Sequence, residues 1–413
     1  YKVTWTNVVV SADHTDVTST AGNAVGVLGA GAADTVTWTN VTVSAERTDV
    51  TSTANSNAGV LGAGSGYTVT WTNVVVSADR TDVTSTATNA IGVLGSGCQN
   101  SGVSWTNVTV CAALANVTAT SGVYVGVLGA GSSGSLAWTH VAVSAALANV
   151  KSATGGYAGV LGAGSVTAAS WTYVTVSADQ ADITSTAGSS VGILGAGCGN
   201  SVAWTNVGVS VALANVASIA GSAVGIVGAG SFNSDVSWTN VTVSAALVNV
   251  TSTAANAVGV VGAGSLSSSV RWTNVTVSAA LASVTSTAGS CVGVLGAGSY
   301  NYAVTWTDVT VFAALANITS TAGNAVGVLG AGSKGMTIAA GKTAVAPWRD
   351  VAVVLVDSTL ACRQAAVSGV LGAAIANYDT SSEPTPNDTV TWRDVVVVAA
   401  AASVDVWGDE SAA

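Results

Sequence analysis

The sequence predicts an all-β fold: a parallel β-helix (β-solenoid) of about 33-residue repeats forming an elongated rod. Three observations carry this expectation. Ten tryptophans, Trp5, Trp38, Trp71, Trp105, Trp138, Trp171, Trp204, Trp238, Trp272 and Trp306, follow one another at intervals of 33 or 34 residues. Around them runs a recurring phrase, V-T-W-T-N-V-T-V-S-A, then A-L-A-N-V-T-S-T-A-G, then A-V-G-V-L-G-A-G-S. That phrase is rich in β-branched Val and Thr and punctuated by Gly, the composition of short strands and tight bends. Finally, its apolar residues alternate with period two and show no helical spacing.

Each element follows in order from the first repeat. Val3 and Trp5 alternate, and Val8 and Val10 alternate in the opposite phase. A slip of one residue turns every side chain to the other face, so a corner at Thr6–Asn7 keeps both pairs inward. V-T-S-T gives another short strand, and A-V-G-V-L-G-A-G gives a last one, closed by Gly29 and Gly31. Three or four strands then fill one coil, while a competing parse winds two coils of about 16 or 17 residues per repeat. With one coil per repeat, equivalent residues stack about 4.8 Å apart, and ten coils span roughly 50 Å. The tryptophans become a structural ladder. Asn7, Asn40, Asn73, Asn107, Asn206, Asn240 and Asn274 become an amide column, interrupted by His140, Tyr173 and Asp308. Stacked amides hydrogen-bond from rung to rung.

Residues 1–333 hold ten regular repeats, and residues 334–413 hold two divergent, longer repeats with loop insertions, continuous with the same solenoid. Trp348 and Trp392 carry the pattern on at spacings of 42 and 44 residues. Neither end of the chain shows a capping element, so a segment of a longer repetitive protein, or a subunit stacking end to end, is expected.

Composition excludes several functions. Only 7% of the 413 residues are charged, against roughly 25% in ordinary soluble domains. The net charge is −10, and no cluster of Lys and Arg offers phosphate a footing, which argues against nucleic acid. No stretch of 18 apolar residues occurs, so no membrane span is expected in this segment. The five cysteines lack C-x-x-C spacing and there are two histidines, which argues against a zinc site. Cys98 and Cys111 are close enough in sequence to bridge within one repeat. Cys98 and Cys198 share a repeat phase but are too far apart to bond. No nucleophile motif or phosphate loop is present, and G-V-L-G-A-G recurs without a following helix, as a coil corner would. No catalytic residue and no cofactor are expected.

Three surface patterns are candidates for binding. Repeats one to three would stack Asp13, Glu46 and Asp79, and also Asp16, Asp49 and Asp82, beside His14, Arg47 and Arg80; repeat six echoes them with Asp179 and Asp182. Such carboxylates suit a solvated, partly paired face. They also suit a calcium site with Asp16, Asp49 and Asp82 as metal ligands, or the carboxylate pair of a glycosidase. Other repeats place Ala-Leu-Ala-Asn there, which favours the solvated face. A second pattern ranks Thr18, Thr51, Thr84, Thr184, Thr251, Thr285 and Thr319, with Lys151 and Ala217 interrupting. Ranked threonines at strand spacing are the pattern of ice-binding solenoids. Third, sequons at Asn40, Asn107, Asn116, Asn240, Asn249, Asn274, Asn317 and Asn387 are candidate glycosylation sites where exposed.

The phrase W-T-N-V-T-V-S-A-A-L-A-N-V-T-S-T resembles the Val/Ala/Thr-rich repeats of the large dispersed-gene-family surface proteins of trypanosomatids, and repetitive β-solenoid adhesins. The resemblance covers residues 1–333 and implies an extracellular or cell-surface role on a parallel β-helix, without catalytic residues. The expected function is a structural or adhesive solenoid, a segment or subunit of a filament or surface appendage. Its partners would be neighbouring copies of itself, or a carbohydrate or other cell-surface ligand. The alternative is a solenoid binding ice or carbohydrate through a flat threonine face; a carbohydrate-active enzyme comes third.

Overall fold

A computed structural model describes residues 1–20, 24–53, 56–120, 122–153, 156–186, 190–219, 223–253, 257–266, 268–287, 291–299, 304–321, 325–334, 345–363, 367–369, 371, 373–376 and 389–407. Every regular element among them is a strand. The first coil contains β1 (Val3–Asp13), β2 (Val17–Ser19), β3 (Ala24–Gly26) and β4 (Ala30–Ala32). The next ten coils repeat this set, and Thr389–Ala400 and Ser403–Trp407 add a twelfth strand to each of the first two sheets. Every fourth strand joins the same sheet, giving two sheets of 12 strands and two of 11, all pairings parallel. We call them sheets A to D after the four strands of the first coil.

Register decides between one coil and two per repeat. Trp5 pairs with Trp38 and Trp38 with Trp71, one full repeat apart, so each repeat is a single coil. The longer repeats keep this register: Trp306 pairs with Trp348, and Trp348 with Trp392. Along the ten regular coils the indole centroids lie 4.8–4.9 Å apart with planes within 5° of parallel. That rise is the spacing of adjacent strands.

Two corners shape each coil. The first is the one expected at Thr6–Asn7: Asn7 has φ 55°, and its counterparts down to Asp394 have φ of 53° or 54°. Asn and Asp tolerate this left-handed region better than most residues. The corner resets the strand parity, so Trp38 and Val41, either side of Asn40, are both buried. Val8 is partly buried and packs against the same core. The second corner falls seven residues on and was not evident in the sequence. His14, Arg47, Arg80, Leu114, Leu147, Gln180, Leu213, Leu247, Leu281, Leu315, Asp357 and Ala401 occupy it, all at φ between 45° and 53°.

The A-V-G-V-L-G-A-G segment is two strands, not the single last strand expected. A bend at Val-Leu-Gly folds sheet C back against sheet D so closely that a Cβ on Gly26 or Gly31 would overlap backbone of the opposing strand. Backbone contact replaces side-chain packing here, which only Gly permits. Along the bend, Leu61 and Gly62 amides both donate to the Val93 carbonyl at 2.7 and 2.8 Å.

Coil length varies at one place. Cys98 pairs with Ser65 at a separation of 33, while Val103 pairs with Val69 at 34. The extra residue lies in the connection from sheet D to sheet A. The same connection absorbs the extra residue in the coil containing Ser231 and Val236. Between the two corners the spacing is seven residues in every coil.

The interior is one continuous apolar column of Trp, Val, Leu and Ala. Stacked aromatic pairs contribute about 0.5–1.5 kcal/mol each beyond the area they bury. A buried serine file, including Ser52, Ser85 and Ser185, runs down the inward face of sheet B.

Candidate functional site

The chain presents its functional side chains as outward columns. The acidic and basic residues of coils one to three stack as expected: Asp13 pairs with Glu46, and Glu46 with Asp79. At the following corner each acid pairs with its own neighbour: Asp13 with His14 at 2.5 Å, Glu46 with Arg47 at 3.4 Å, and Asp79 with Arg80 at 3.8 Å. Arg47 also reaches the His14 ring at 3.3 Å. All of these are well exposed, so each pair stabilises little.

The calcium reading of Asp16, Asp49 and Asp82 finds no support. The Asp16 carboxylate accepts from the Asp49 amide at 3.2 Å, and the Asp82 carboxylate accepts from the Asn116 side chain at 2.7 Å. Among the described residues no cluster of three or more His, Cys, Asp or Glu is placed to hold a metal ion. Asp182 repeats the arrangement, accepting from Asn215 at 2.8 Å.

The Thr18 column stands on sheet B, and Lys151 and Ala217 fall within it in register. A second threonine column was not singled out from the sequence. Thr6, Thr39, Thr72, Thr106, Thr139, Thr172, Thr205, Thr239, Thr273 and Thr307 pair in unbroken succession on sheet A. All ten are exposed or half-buried, and Arg349 follows Thr307. The signal was the parity of the Trp phrase, which turns Thr outward whenever Trp turns inward.

Beside this column runs the amide ladder. Asn40 donates to Asn7 at 2.9 Å, Asn73 to Asn40 and Asn107 to Asn73 at 3.0 Å. Past the break, Asn240 donates to Asn206 at 3.0 Å and Asn274 to Asn240 at 2.9 Å. At the break His140 and Tyr173 stack at 4.8 Å, so the column stays continuous in shape. The sequon asparagines Asn40, Asn107, Asn240 and Asn274 are exposed at this corner, with their amide nitrogens in the ladder. Asn116, Asn249 and Asn317 are exposed on sheet B. Asn387 lies outside the described residues.

The cysteines sit apart. Cys98 is buried in sheet D with its thiol against the Tyr67 carbonyl, whereas Cys111 is half-buried on the outer face of sheet A; both are free, so the bridge their spacing in sequence allowed does not form. Cys98 and Cys198 occupy the file that Ser65 and Ser165 occupy in neighbouring coils, and burial pushes both thiols above their ordinary value. No helix among the described residues is long and apolar enough to cross a membrane. Compared with known proteins, the chain matches no protein-family model, no curated protein and no solved structure.

Proposed function

We propose that the chain is an extracellular structural or adhesive solenoid, a segment or subunit of a filament or surface appendage. One observation carries this reading. The Thr6 column and the Asn7 ladder beside it present one chemical pattern again and again at a fixed rise of about 4.8 Å. A surface of that kind gains strength by repetition. One weak contact recurs along the rod, and linked contacts bind far more tightly than any single one. The resemblance of the repeats to surface proteins and adhesins leads the same way. Immunogold labelling of intact, unpermeabilised source cells tests it. Label on the outer surface, borne on rods or filaments, is the expected result; label that appears only after permeabilisation overturns it.

A second reading has one specific observation in its favour. The ten-rung Thr6 column is the unbroken face that binding to ice or to a regular carbohydrate would require, whereas the Thr18 column is interrupted. Thermal hysteresis and polysaccharide pull-down with the purified chain test it directly. Activity lost on replacing Thr139 and Thr172 with Lys would establish that face, and inactivity of the unaltered chain in both assays removes it.

A further inference from the structure

We propose that the second corner of coils four to ten is a docking surface for another copy of this chain, laid alongside antiparallel. The inference rests on the structural reading above and supplies its partner.

Leu114, Leu147, Leu213, Leu247, Leu281 and Leu315 stand at this corner, each 47–58% exposed. All have φ between 51° and 53°. Leucine is a poor choice there on two counts. A left-handed backbone crowds its Cβ against the following carbonyl, and its side chain stays in water. The other coils show that the corner does not need it. His14, Arg47, Arg80 and Gln180 hold the same place at φ 48–52°.

The preceding residue changes in step. It is Asp13, Glu46, Asp79 or Asp179 where the corner is polar, and Ala113, Ala146, Ala212, Ala246, Ala280 or Ala314 where the corner is Leu. Across the ten regular coils the corner is therefore polar at both positions or apolar at both; in the longer eleventh coil Val356 precedes Asp357. Repeats of one chain serve as each other's controls here. The coil folds either way, so the apolar version answers to something outside the coil.

What covers the ridge follows from its geometry. Each Leu with its Ala offers on the order of 100 Å² of apolar area, by the transfer scale for a Leu side chain. Six such corners give roughly 600 Å², approaching the ~800 Å² that each partner contributes to a standard interface. A second copy carries leucines at the same rise of about 4.8 Å, so the two ridges interdigitate along their whole length. A two-fold axis at Leu213, the middle coil of the ridge, closes the pair symmetrically. It sets Leu114 beside Leu315, Leu147 beside Leu281, and Gln180 beside Leu247. One position further out it sets Arg80 beside Asp357, both exposed. A parallel arrangement would instead put Arg47 beside Arg47 and Arg80 beside Arg80. Charge therefore favours the antiparallel pair.

Sedimentation and light scattering of the full chain over a dilution series test the proposal. The unaltered chain should show twice its monomer mass. Leu147→Gln, Leu213→Gln, Leu247→Gln and Leu281→Gln together should raise the dissociation constant on the order of 100-fold. Gln180 already occupies this corner, so the variant should keep its β circular dichroism. Arg80→Asp should weaken the dimer roughly tenfold, and adding Asp357→Arg should restore it, because exchange of the charges rebuilds the pair. A monomer at every concentration, or a dimer indifferent to the four Gln substitutions, overturns the docking surface. A charge exchange that fails to restore the dimer overturns the antiparallel register. Surface labelling of intact cells by a chain that stays monomeric would leave the proposed function standing and remove this inference alone.

Discussion

Replacing Val74 with Asp should destabilise the rod severely, while replacing Val75 with Asp should hardly matter. The two residues are adjacent, yet Val74 is fully buried and Val75 is 41% exposed. They share strand, coil and sequence context, so the comparison isolates the face. At Val74 the loss has two parts. Removing a buried valine forfeits about 2 kcal/mol of apolar burial. An uncompensated buried carboxylate adds about 3–5 kcal/mol, for a total of about 5–7 kcal/mol. At Val75 the change should stay within about 0.5 kcal/mol, as for surface positions generally. The assay is urea unfolding followed by circular dichroism. It carries an internal check in its pH dependence. A buried Asp has a raised folded-state pKa, so below the unfolded value near 3.9 it is neutral in both states and the charge penalty vanishes. As the pH climbs from there towards the folded pKa, the Val74→Asp defect should grow by about 1.4 kcal/mol per unit. Equal losses for the two variants would refute the inward assignment, and with it the parity reset at Asn73.

Three other outcomes are expected. Gly162→Ala should cost about 3 kcal/mol, because its Cβ would overlap the Gly195 carbonyl of the next coil, whereas Gly208→Thr, with open space around it, should gain roughly 1 kcal/mol; unfolding midpoints decide. Among the described cysteines, Cys111 should be alkylated first in the folded chain, and sluggishly, because burial and then the Asp79 carboxylate hold its thiol above the ordinary value; Asp79→Asn should speed labelling followed by mass spectrometry. Partial burial pushes the Asp235 carboxyl up, but hydrogen bonds from Ser268 and Ser269, with the Arg271 charge, outweigh it and hold the group below the ordinary carboxylate range. Its stabilising effect is therefore present above the unfolded pKa and lost as the pH falls through the folded one, so Asp235→Asn should flatten acid unfolding in that window.

The period and the Asn corner were legible because each rests on local pattern, whereas the choice between one coil and two per repeat needed the register of Trp5 on Trp38. Strict alternation on both sides of Asn7 can keep Trp5 and Val8 on one face only if the chain turns between them. The second corner was not legible, because Leu114 and Arg47 carry none of the Asn, Asp or Gly chemistry that signals a left-handed residue. For the same reason nothing in the phrase A-A-L-A-N marked its leucines as exposed. The fold-back of Ala24–Gly26 on Ala30–Ala32 depends on backbone contact between strands within a coil and with the neighbouring coil, and no side chain announces it. The acidic residues Asp16, Asp49 and Asp82 fall in successive coils as the repeat phase requires, but the phase does not say which donors their carboxylates engage. Only the donors of the next coil, the Asp49 amide and Asn116, show where the carboxylates point.

The confinement of length change to the connection between sheets D and A bears on how such a chain can evolve. Each coil contacts its neighbours alone, and every column is indexed from the corners rather than from the count of residues between them. Excising the stretch from one tryptophan to just before the next would bring equivalent positions together and close the rod up by one step. Duplicating it would lengthen the rod as cleanly, whether the unit held 33 residues or 34. Rod length is thus a heritable variable that unequal recombination can tune in single steps, independently of the surface each coil displays.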